Sequence, residues 1–254
     1  MDDHTVAGRV AAILEVVAAS PVSTSLALLA AETGIPKPTV RRIANQLVIR
    51  NILRRDVLGY RLGLRLIELG NAAVIQLGTA ELAAPFVHEL HERTQQIAWV
   101  GVLTEDSIVV VDLAFASEHS APMKAWPMVM PMATMAATAA GHLMLAARPG
   151  RTEEVLRNGG LNRLTPYSIT SPRVLEGRIR RAAETGTAHE WEETRLGWWC
   201  CASLVSAPDA DYVLGLTAQT SGMPMSRTIS TLRRVAEDFG RELGTPAQPP
   251  DLAM

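Results

Sequence analysis

The 254-residue sequence favours an α+β protein made of two parts that differ in character. Residues 5–49 carry apolar residues at helical spacing, interrupted by short segments rich in Pro, Gly and Ser. Residues 52–62 hold two short β-prone runs around a turn. From residue 97 onward, pairs of longer β-rich runs alternate with helical segments, which is typical of an antiparallel sheet covered by helices.

Three helices are expected in the amino-terminal part. The first spans residues 5–19 and ends at Ser20-Pro21, and the second spans 24–32 with Ser23 as its N-cap. Gly34 supplies a left-handed residue where the chain turns. The third helix runs from Pro38 to about Ile49, because proline suits the first helical position and Lys37, which precedes it, favours extended backbone. Helix, short turn and helix form a helix-turn-helix arrangement.

The third helix has one apolar face and one cationic face. Its apolar residues fall at i, i+3, i+4 and i+7, namely Val40, Ile43, Ala44 and Leu47. The other face presents polar residues and no acid: Lys37, Thr39, Arg41, Arg42, Asn45 and Gln46. A short helix of this kind fits the major groove of DNA, where arginine pairs with guanine and asparagine with adenine. For any one of these residues the alternative is an ordinary solvated surface position.

A basic hairpin follows the third helix. Ile52–Arg55 and Tyr60–Leu62 are predicted strands, and residues 56–59 form the turn between them. Arg54, Arg55 and Arg61 would lie near phosphates, so the hairpin is interpreted as a wing that adds salt-dependent affinity. The first domain therefore covers residues 1–63.

The charge distribution supports a polyanionic partner for this domain. Residues 1–62 contain eight Lys/Arg and five Asp/Glu, whereas the whole chain has a net charge of −2. A basic end joined to an acidic body indicates that the basic end binds a polyanion. Cys200 and Cys201 are adjacent and form no disulfide framework, and the amino terminus lacks a signal-peptide pattern. A reducing, cytoplasmic compartment is expected.

A linker helix over residues 64–78 leads to a second domain over 79–244, and the tail 245–254 is expected to be disordered. Predicted helices cover 80–94, 139–147, 172–185 and 227–243, and predicted strands cover 97–103, 107–113, 188–192, 199–206 and 212–220. Residues 125–147 form an uncharged stretch, and this stretch is long enough to span a membrane. Prolines interrupt the stretch, so a buried strand, loop and helix is the preferred interpretation.

An enzyme is the competing class of function. His88 and His91 lie at i, i+3 but offer only two nitrogens, so a solvated helix face is preferred to a metal site. The sequence contains no phosphate-binding glycine loop, no Gly-x-Ser-x-Gly elbow and no dinucleotide fingerprint. We therefore expect no catalytic residue, metal or cofactor.

Several fragments together resemble the IclR family of bacterial transcription regulators, over about residues 5–241. They are Arg9-Val10-Ala11-Ala12-Ile13-Leu14, residues 33–42 (TGIPKPTVRR), Tyr60-Arg61-Leu62-Gly63, Leu69-Gly70, Leu164-Thr165-Pro166 with Ile169-Thr170, and Glu192-Glu193 followed by Gly197 and Cys200. The resemblance implies a winged helix-turn-helix domain, a linker helix and a GAF/PAS-like effector domain. It also implies a regulator, a repressor or an activator, that binds a palindromic operator as a homodimer or homotetramer. Arg9 matches a family arginine near the DNA backbone.

The family's pocket for a small effector, an organic acid or an aromatic compound, carries over by motif position. Its contacts would be Ala139, Ala140, Glu190, Cys200, Thr217 and Gln219. Helix-start N–H groups suit a carboxylate, but Glu190 would oppose an acid. The family's His and Lys are here Ala136 and His142, and its Ser is Pro38. These departures leave open a second hypothesis, a dimeric DNA-binding regulator that has lost its ligand.

A methionine-rich stretch precedes the helix 139–147. It contains Met123, Met128, Met130, Met132 and Met135 together with Trp126. Methionine adapts to irregular ligands, so these residues could shape a broad apolar pocket. The preferred alternative for most of them is a role in the core or in a dimer interface.

Overall fold

The computed structural model of the chain describes residues 5–105, 107–120, 128–157, 161–208, 210–221 and 225–244. These form two compact units, Met1–Leu77 and Gly78–Met254, which are described in turn. The α+β architecture with antiparallel sheets is confirmed. The predicted tail 245–254, parts of the turns at Asp106 and Asp209, and the residues Met123 and Trp126 lie outside the described residues.

The first unit contains a helix-turn-helix followed by a hairpin. Its elements are α1 (Val6–Ala19), α2 (Leu26–Thr33), α3 (Lys37–Ile49), β1 (Leu53–Arg55), β2 (Tyr60–Leu62) and α4 (Arg65–Leu77). Apolar residues from all three leading helices and from the hairpin meet in one core, with Ile13, Leu29, Val40 and Leu53 at most 1% exposed. Because α3 buries the apolar face that its spacing predicts, its cationic face is directed outward.

Helix α2 begins later than predicted, and its N-cap is Ser25 rather than Ser23. Thr24 pairs with Tyr60 through two backbone hydrogen bonds of 2.9 Å, which holds residue 24 in extended backbone. The helix can start only after this bridge, and the Ser25 hydroxyl then accepts a hydrogen bond from the Leu28 N–H at 3.2 Å. The Ser23 hydroxyl is free to serve the hairpin instead.

Helix α3 begins one residue before the predicted start. Pro36 is the N-cap, and its carbonyl accepts the N–H groups of Thr39 and Val40 at 2.8 and 3.0 Å. Pro38 therefore occupies the second helical position. An N–H group at this position would have no acceptor within the helix, so the proline loses no hydrogen bond there. The preference of Lys37 for extended backbone is outweighed by this turn.

The second unit is built on a six-stranded antiparallel sheet in the order β5-β4-β3-β8-β7-β6. Its strands are β3 (Ile97–Leu103), β4 (Ser107–Ala114), β5 (Val129–Pro131), β6 (Thr187–Trp191), β7 (Trp198–Ser206) and β8 (Asp211–Gln219). Its helices are α5 (Thr79–Thr94), α6 (Ala139–Ala147), α7 (Gly150–Arg157), α8 (Pro172–Thr185) and α9 (Met225–Gly244), with 3-10 turns at Ser117–His119 and Met132–Ala137.

The two faces of the sheet are covered by different helices. Helices α5 and α9 cover one face, where Leu90 and Phe239 pack against Trp199 and Tyr212. Helix α6 packs over the other face near β6 and β7, and helix α8 packs against α6. Both faces are therefore apolar, which explains why the strands alternate so weakly between apolar and polar residues.

One helix of this unit was not predicted, namely α7, which is eight residues long. Strand β5 is the strand expected, without bounds, in the uncharged stretch, and it is three residues long. The uncharged stretch resolves, over its described part, into β5, a 3-10 turn and α6, in agreement with the preferred interpretation. Among the described residues, no helix combines the length and the apolar composition that a bilayer span requires.

Candidate functional site

The outer face of α3 is a cationic surface. Lys37, Arg41, Arg42 and Asn45 are exposed, and Thr39 is half-exposed in the first turn. Arg41 and Arg42 differ by about 100° around the helix axis, so their side chains leave it in different directions. Asn45 lies one turn further along, close to both. The face carries no acidic residue, and it offers two directions for guanidinium groups and an amide between them.

The three arginines of the hairpin differ in their surroundings. Arg61 Nε donates to Ser23 Oγ at 2.6 Å and lies 3.4 Å from Asp56 Oδ2, and Ser23 Oγ donates to the same carboxylate. Arg55 lies over the Tyr60 ring, 5.7 Å from its centroid. Arg54 is exposed and pairs with Arg61 in the strand register.

Asp56 organises the turn of the hairpin. Its Oδ1 accepts the N–H groups of Leu58 and Gly59 at 2.8 and 3.0 Å, while Oδ2 accepts from Ser23. The Ser23 hydroxyl, the Leu58 and Gly59 N–H groups and the Arg61 charge together hold the pKa of Asp56 below its usual value. Arg61 is thus tethered to the turn, and Arg54 and Arg55 are its exposed cations. Arg9 is half-buried on α1.

A small cavity of about 40 Å³ lies in the second unit, between the sheet and the first turn of α6. It is lined by Trp99, Met130, Thr138, Ala140, Glu190, Thr194 and Cys200. A space of roughly 10–15 Å³ holds one water molecule, so this cavity admits a polar head group rather than a whole drug-sized ligand. The helix start contributes the N–H groups of its first turn, of which the Gly141 N–H is already taken by the Thr138 hydroxyl at 2.9 Å.

Glu190 is the charged side chain of this cavity. It is 2% exposed, its Oε2 accepts the Glu193 N–H at 2.9 Å, and its Oε1 accepts the Thr194 hydroxyl at 3.1 Å. Burial raises the pKa of Glu190 to about 7, while these hydrogen bonds oppose the rise. The Thr194 N–H acts on the same carboxylate, and a carboxylate has about four acceptor positions, so these three donors leave about one position for a ligand.

The turn between β6 and β7 positions Glu190. Thr165 donates to the Glu192 carbonyl and Ser168 to the Glu193 carbonyl, both at 2.6 Å. Glu192 Oε1 in turn accepts the Gly197 N–H at 2.6 Å. Two fragments that are far apart in the sequence, at 164–170 and 192–197, therefore act together as one support for the cavity wall.

Glu193 faces away from the cavity toward α8. Its Oε1 lies 3.1 Å from Arg178 Nη2, and its buried Oε2 has no hydrogen-bond partner among the described residues. Burial raises the pKa of Glu193 to about 7, although the Arg178 charge lowers it. Two neighbouring carboxyl groups thus titrate near neutral pH on either side of one turn.

Trp99 forms the floor of the cavity. Its Nε1 donates to Thr217 Oγ1 at 3.1 Å, and Thr217 Oγ1 donates to Cys200 Sγ at 3.6 Å. A Cβ on Gly215 would lie 2.1 Å from the Trp99 ring, so the ring rests directly on the backbone of β8. Burial and the Glu190 carboxylate raise the pKa of the Cys200 thiol well above its usual range, so the thiol is protonated and unreactive.

The structure places the six expected effector contacts in four kinds of position. Ala140, Glu190 and Cys200 line the cavity, and Thr217 contacts Cys200 and Trp99 from behind. Ala139 is buried in the core beside the cavity, and Gln219 lies exposed at the end of β8. Met130 also lines the cavity, and it belongs to the methionine-rich stretch that was considered as a pocket wall, with the core or a dimer interface preferred for most of its members. Trp99, Thr138 and Thr194 were not expected as lining residues, and the sequence signal for Trp99 is Gly215 on the strand opposite it.

The substituted positions Ala136 and His142 meet in the structure. His142 is buried, and its Nε2 lies 2.9 Å from the Ala136 carbonyl, which can only accept a hydrogen bond. The proton is therefore on Nε2, and Nδ1 has no partner among the described residues. Burial lowers the pKa of His142 to about 4, so this side chain contributes no positive charge near the cavity at neutral pH.

The two histidines considered as a metal alternative are engaged otherwise or exposed. His91 Nδ1 lies 2.6 Å from the Gln96 carbonyl at the end of α5, and His88 is exposed. The described residues contain no group of three His, Cys, Asp or Glu side chains placed to hold a metal ion.

Comparison with known proteins identifies the family of both domains. The sequence model of the IclR helix-turn-helix domain matches residues 6–57, and that of the bacterial transcriptional regulator IclR C-terminal domain matches residues 71–239. The chain is 29% identical to the HTH-type transcriptional regulator TtgV of Pseudomonas putida over 224 residues, covering 87% of this chain and 82% of that protein. It is 26% identical to the glycerol operon regulatory protein of Streptomyces griseus, covering 93% and 95%.

Solved structures share the fold. An IclR homolog from Microbacterium hydrocarbonoxydans, complexed with 4-hydroxybenzoate, has a TM-score of 0.74 at 22% identity and covers 92% of this chain and 97% of its own. An IclR family transcriptional regulator from Brucella abortus has a TM-score of 0.76 at 20% identity and covers 98% and 95%. With both domains matched over most of its length, the chain belongs to the IclR family of HTH-type transcriptional regulators, with a DNA-binding domain and an effector-binding domain, and not to an enzyme family.

Proposed function

We propose that this regulator acts in the cytoplasm as a homodimer, or a pair of homodimers, on a palindromic operator. The observation that carries the proposal is the outer face of α3, which is exposed, cationic and free of acids while its inner face is buried. In each subunit, Arg41, Arg42 and Asn45 read base edges or hold phosphates, and Lys37 and Thr39 hold the backbone. Arg54 and Arg55 add phosphate contacts from the wing, with Arg9 as a further backbone contact.

The dimer part of the proposal is supported by α4 and the residue before it. Leu64, Ile67 and Ile75 are 60–72% exposed, which is unusual for large apolar side chains on one helix. They recur at about helical spacing, so a second copy of the helix would cover them. In this role α4 is the linker between domains 1–63 and 79–244, and it sets the distance between two α3 helices.

The effector part rests on the cavity beneath α6. The apolar wall formed by Trp99 and Met130 suits an aromatic or small organic molecule, and the Microbacterium homolog binds 4-hydroxybenzoate. Occupancy would change the spacing of the two α3 helices through the linker, and so switch operator affinity. Whether the bound state represses or activates depends on where the operator lies relative to the promoter.

A second candidate function, a dimeric DNA-binding regulator that has lost its effector, is favoured by the size of the cavity. At about 40 Å³ it is smaller than typical ligand sites, and Trp99 occupies the space above Gly215. A regulator without an effector would show this geometry. Thermal stabilisation by a ligand, which requires preferential binding to the folded state, separates the two candidates.

Selection from a random duplex DNA library tests the proposal, because the library contains every possible half-site. Purified protein is expected to enrich an inverted repeat whose half-sites are separated by about 10 base pairs or a multiple of that distance. Lys37→Ala and Arg42→Ala combined should abolish the enrichment. Recovery of DNA with no shared sequence, or of one unrepeated site, would contradict the dimeric operator-binding role.

A further inference from the structure

The cavity beneath α6 has a chemical character that restricts its ligand. Glu190 contributes a carboxyl group to the cavity wall. The seven described lining residues include no Lys, Arg or His. The nearby His142, which stands where the family pattern has a lysine, is neutral and contacts the Ala136 carbonyl. An anionic ligand would therefore meet a buried carboxylate with no side-chain cation to offset the repulsion.

Glu190 is held in a fixed orientation by the protein. The Glu193 N–H and the Thr194 hydroxyl bind one carboxylate oxygen each, and the Thr165 and Ser168 hydroxyls fix the turn that carries these donors. The Thr194 N–H acts on the same carboxylate, which leaves about one of its four acceptor positions, so a donor entering the cavity would complete the hydrogen bonding of a buried acid. Such a bond between a donor and a buried carboxylate belongs to the strong, charge-assisted class.

The cavity holds the head group of a ligand as it stands, and its other walls can move apart to admit the body of a small ligand. Trp99 presents the floor, and Met130 stands on the edge strand β5, where its flexible side chain can yield to a ring. The first turn of α6, which lines the cavity through Ala140, has N–H groups that can donate to a hydroxyl oxygen. A hydroxyl group satisfies both the acid and the helix start, because it donates one hydrogen bond and accepts others.

We infer that the effector of this protein binds through a hydrogen-bond donor, a hydroxyl or an ammonium group, that points at Glu190, and that carboxylates are excluded. The inference rests on the proposed role of the cavity as the effector site, and it names the chemical class of that effector. It replaces the organic acid that the family resemblance suggests. Glu190 is then the residue that determines specificity.

Three probes with a common ring test this. Benzyl alcohol, benzylamine and benzoate are titrated into the full-length protein at pH 8 by calorimetry, in the absence of DNA. The alcohol or the amine is expected to bind, and benzoate is expected to bind at least about tenfold more weakly. Glu190→Gln should weaken the amine by about tenfold or more and bring benzoate closer to the alcohol, because a carboxamide can donate as well as accept.

Glu193→Gln provides the matched control. It makes the same chemical change at the neighbouring carboxyl group, which faces Arg178 rather than the cavity, and it keeps the backbone N–H that binds Glu190, so the preference for donors over benzoate should persist. Binding of benzoate alone, binding of none of the three probes, or an unchanged preference in Glu190→Gln would overturn the inference. DNA selection is a separate experiment, so the operator-binding proposal can stand when this inference fails, and the reverse also holds.

Discussion

Trp99 and Gly215 occupy paired positions on β3 and β8, and the Trp99 ring fills the space that a side chain at position 215 would need. A methyl group on Gly215 would meet three ring atoms of Trp99 at 2.1–2.6 Å. Gly215→Ala should therefore destabilise the protein by about 1–3 kcal/mol, as overpacked sites do. In a Trp99→Leu background the ring atoms are absent, so the same substitution should cost much less. Denaturant unfolding of the four proteins measures this coupling, and equal costs in both backgrounds would contradict the packing described.

Glu190 makes the free energy of unfolding decrease as pH rises toward neutral. Its pKa rises from 4.5 to about 7 on folding, because burial disfavours the charged form. The folded state binds the proton more tightly, so the native protein loses stability relative to Glu190→Gln as pH rises from about 4.5 to 7. The full difference is of the order of 3 kcal/mol.

Melting temperatures of the native protein and Glu190→Gln between pH 4.5 and 8 test this expectation. Taking the difference between the two proteins cancels the opposite contribution of His142, whose pKa falls to about 4. Glu193 and Cys200 also interact electrostatically with Glu190, and both residues are present in both proteins. A difference that does not grow with pH would contradict the burial of the Glu190 carboxylate.

The hairpin depends on Asp56, an acidic residue whose negative charge alone would be expected to repel DNA. Asp56 holds the turn N–H groups, Ser23 and Arg61 together. Asp56→Ala should weaken operator binding by about two- to fivefold, because the wing loses its tethers, even though a negative charge is removed. Glu32→Ala, which removes an exposed acid from α2, is the control and should bind equally well or better. Tighter binding by Asp56→Ala would contradict the structural role of this residue.

Most elements were predictable because each had a local signal. The spacing of Val40, Ile43 and Leu47 predicted the buried face of α3, and Ser171-Pro172 marked the start of α8 within one residue. The start of α2 was not predictable, because the bridge between Thr24 and Tyr60 comes from residues 36 positions apart. A strand was expected in the uncharged stretch, but the bounds of β5 were not predictable, because three residues ending in a proline at a sheet edge give no periodic pattern.

The cavity could be predicted only in part for a similar reason. Glu190 and Cys200 were identified by motif position, and they do line it. Trp99 reaches it from β3, which is remote in sequence, and its participation follows from the strand order β3-β8-β7-β6. Thr194 lies only four residues after Glu190, and the turn between β6 and β7 brings its hydroxyl to the carboxylate. Gln219 was expected there but lies at the end of β8, beyond the described edge of the cavity.

As a whole molecule, the regulator is expected to function through two copies of α3. Ile67→Glu with Ile75→Glu would place charges on the exposed apolar side of α4 and should convert a dimer into monomers, as measured by light scattering. Leu69→Glu is the control, because Leu69 projects about 200° away from Ile67 around the helix. A variant that stays dimeric with both isoleucines replaced would remove α4 from the interface.

Binding of the selected operator, followed by fluorescence anisotropy across a salt series, tests most directly whether α3 reads DNA. The native protein is compared with Arg41→Ala, Arg42→Ala and the control Arg173→Ala, which removes an exposed arginine from α8. We expect one α3 substitution to relax sequence preference, with a cost of about 1–3 kcal/mol. The other should weaken binding to all sequences and reduce the salt slope by about one. Arg173→Ala should bind like the native protein. Unchanged affinity, preference and salt slope in both α3 variants would contradict the assignment of α3 as the recognition helix.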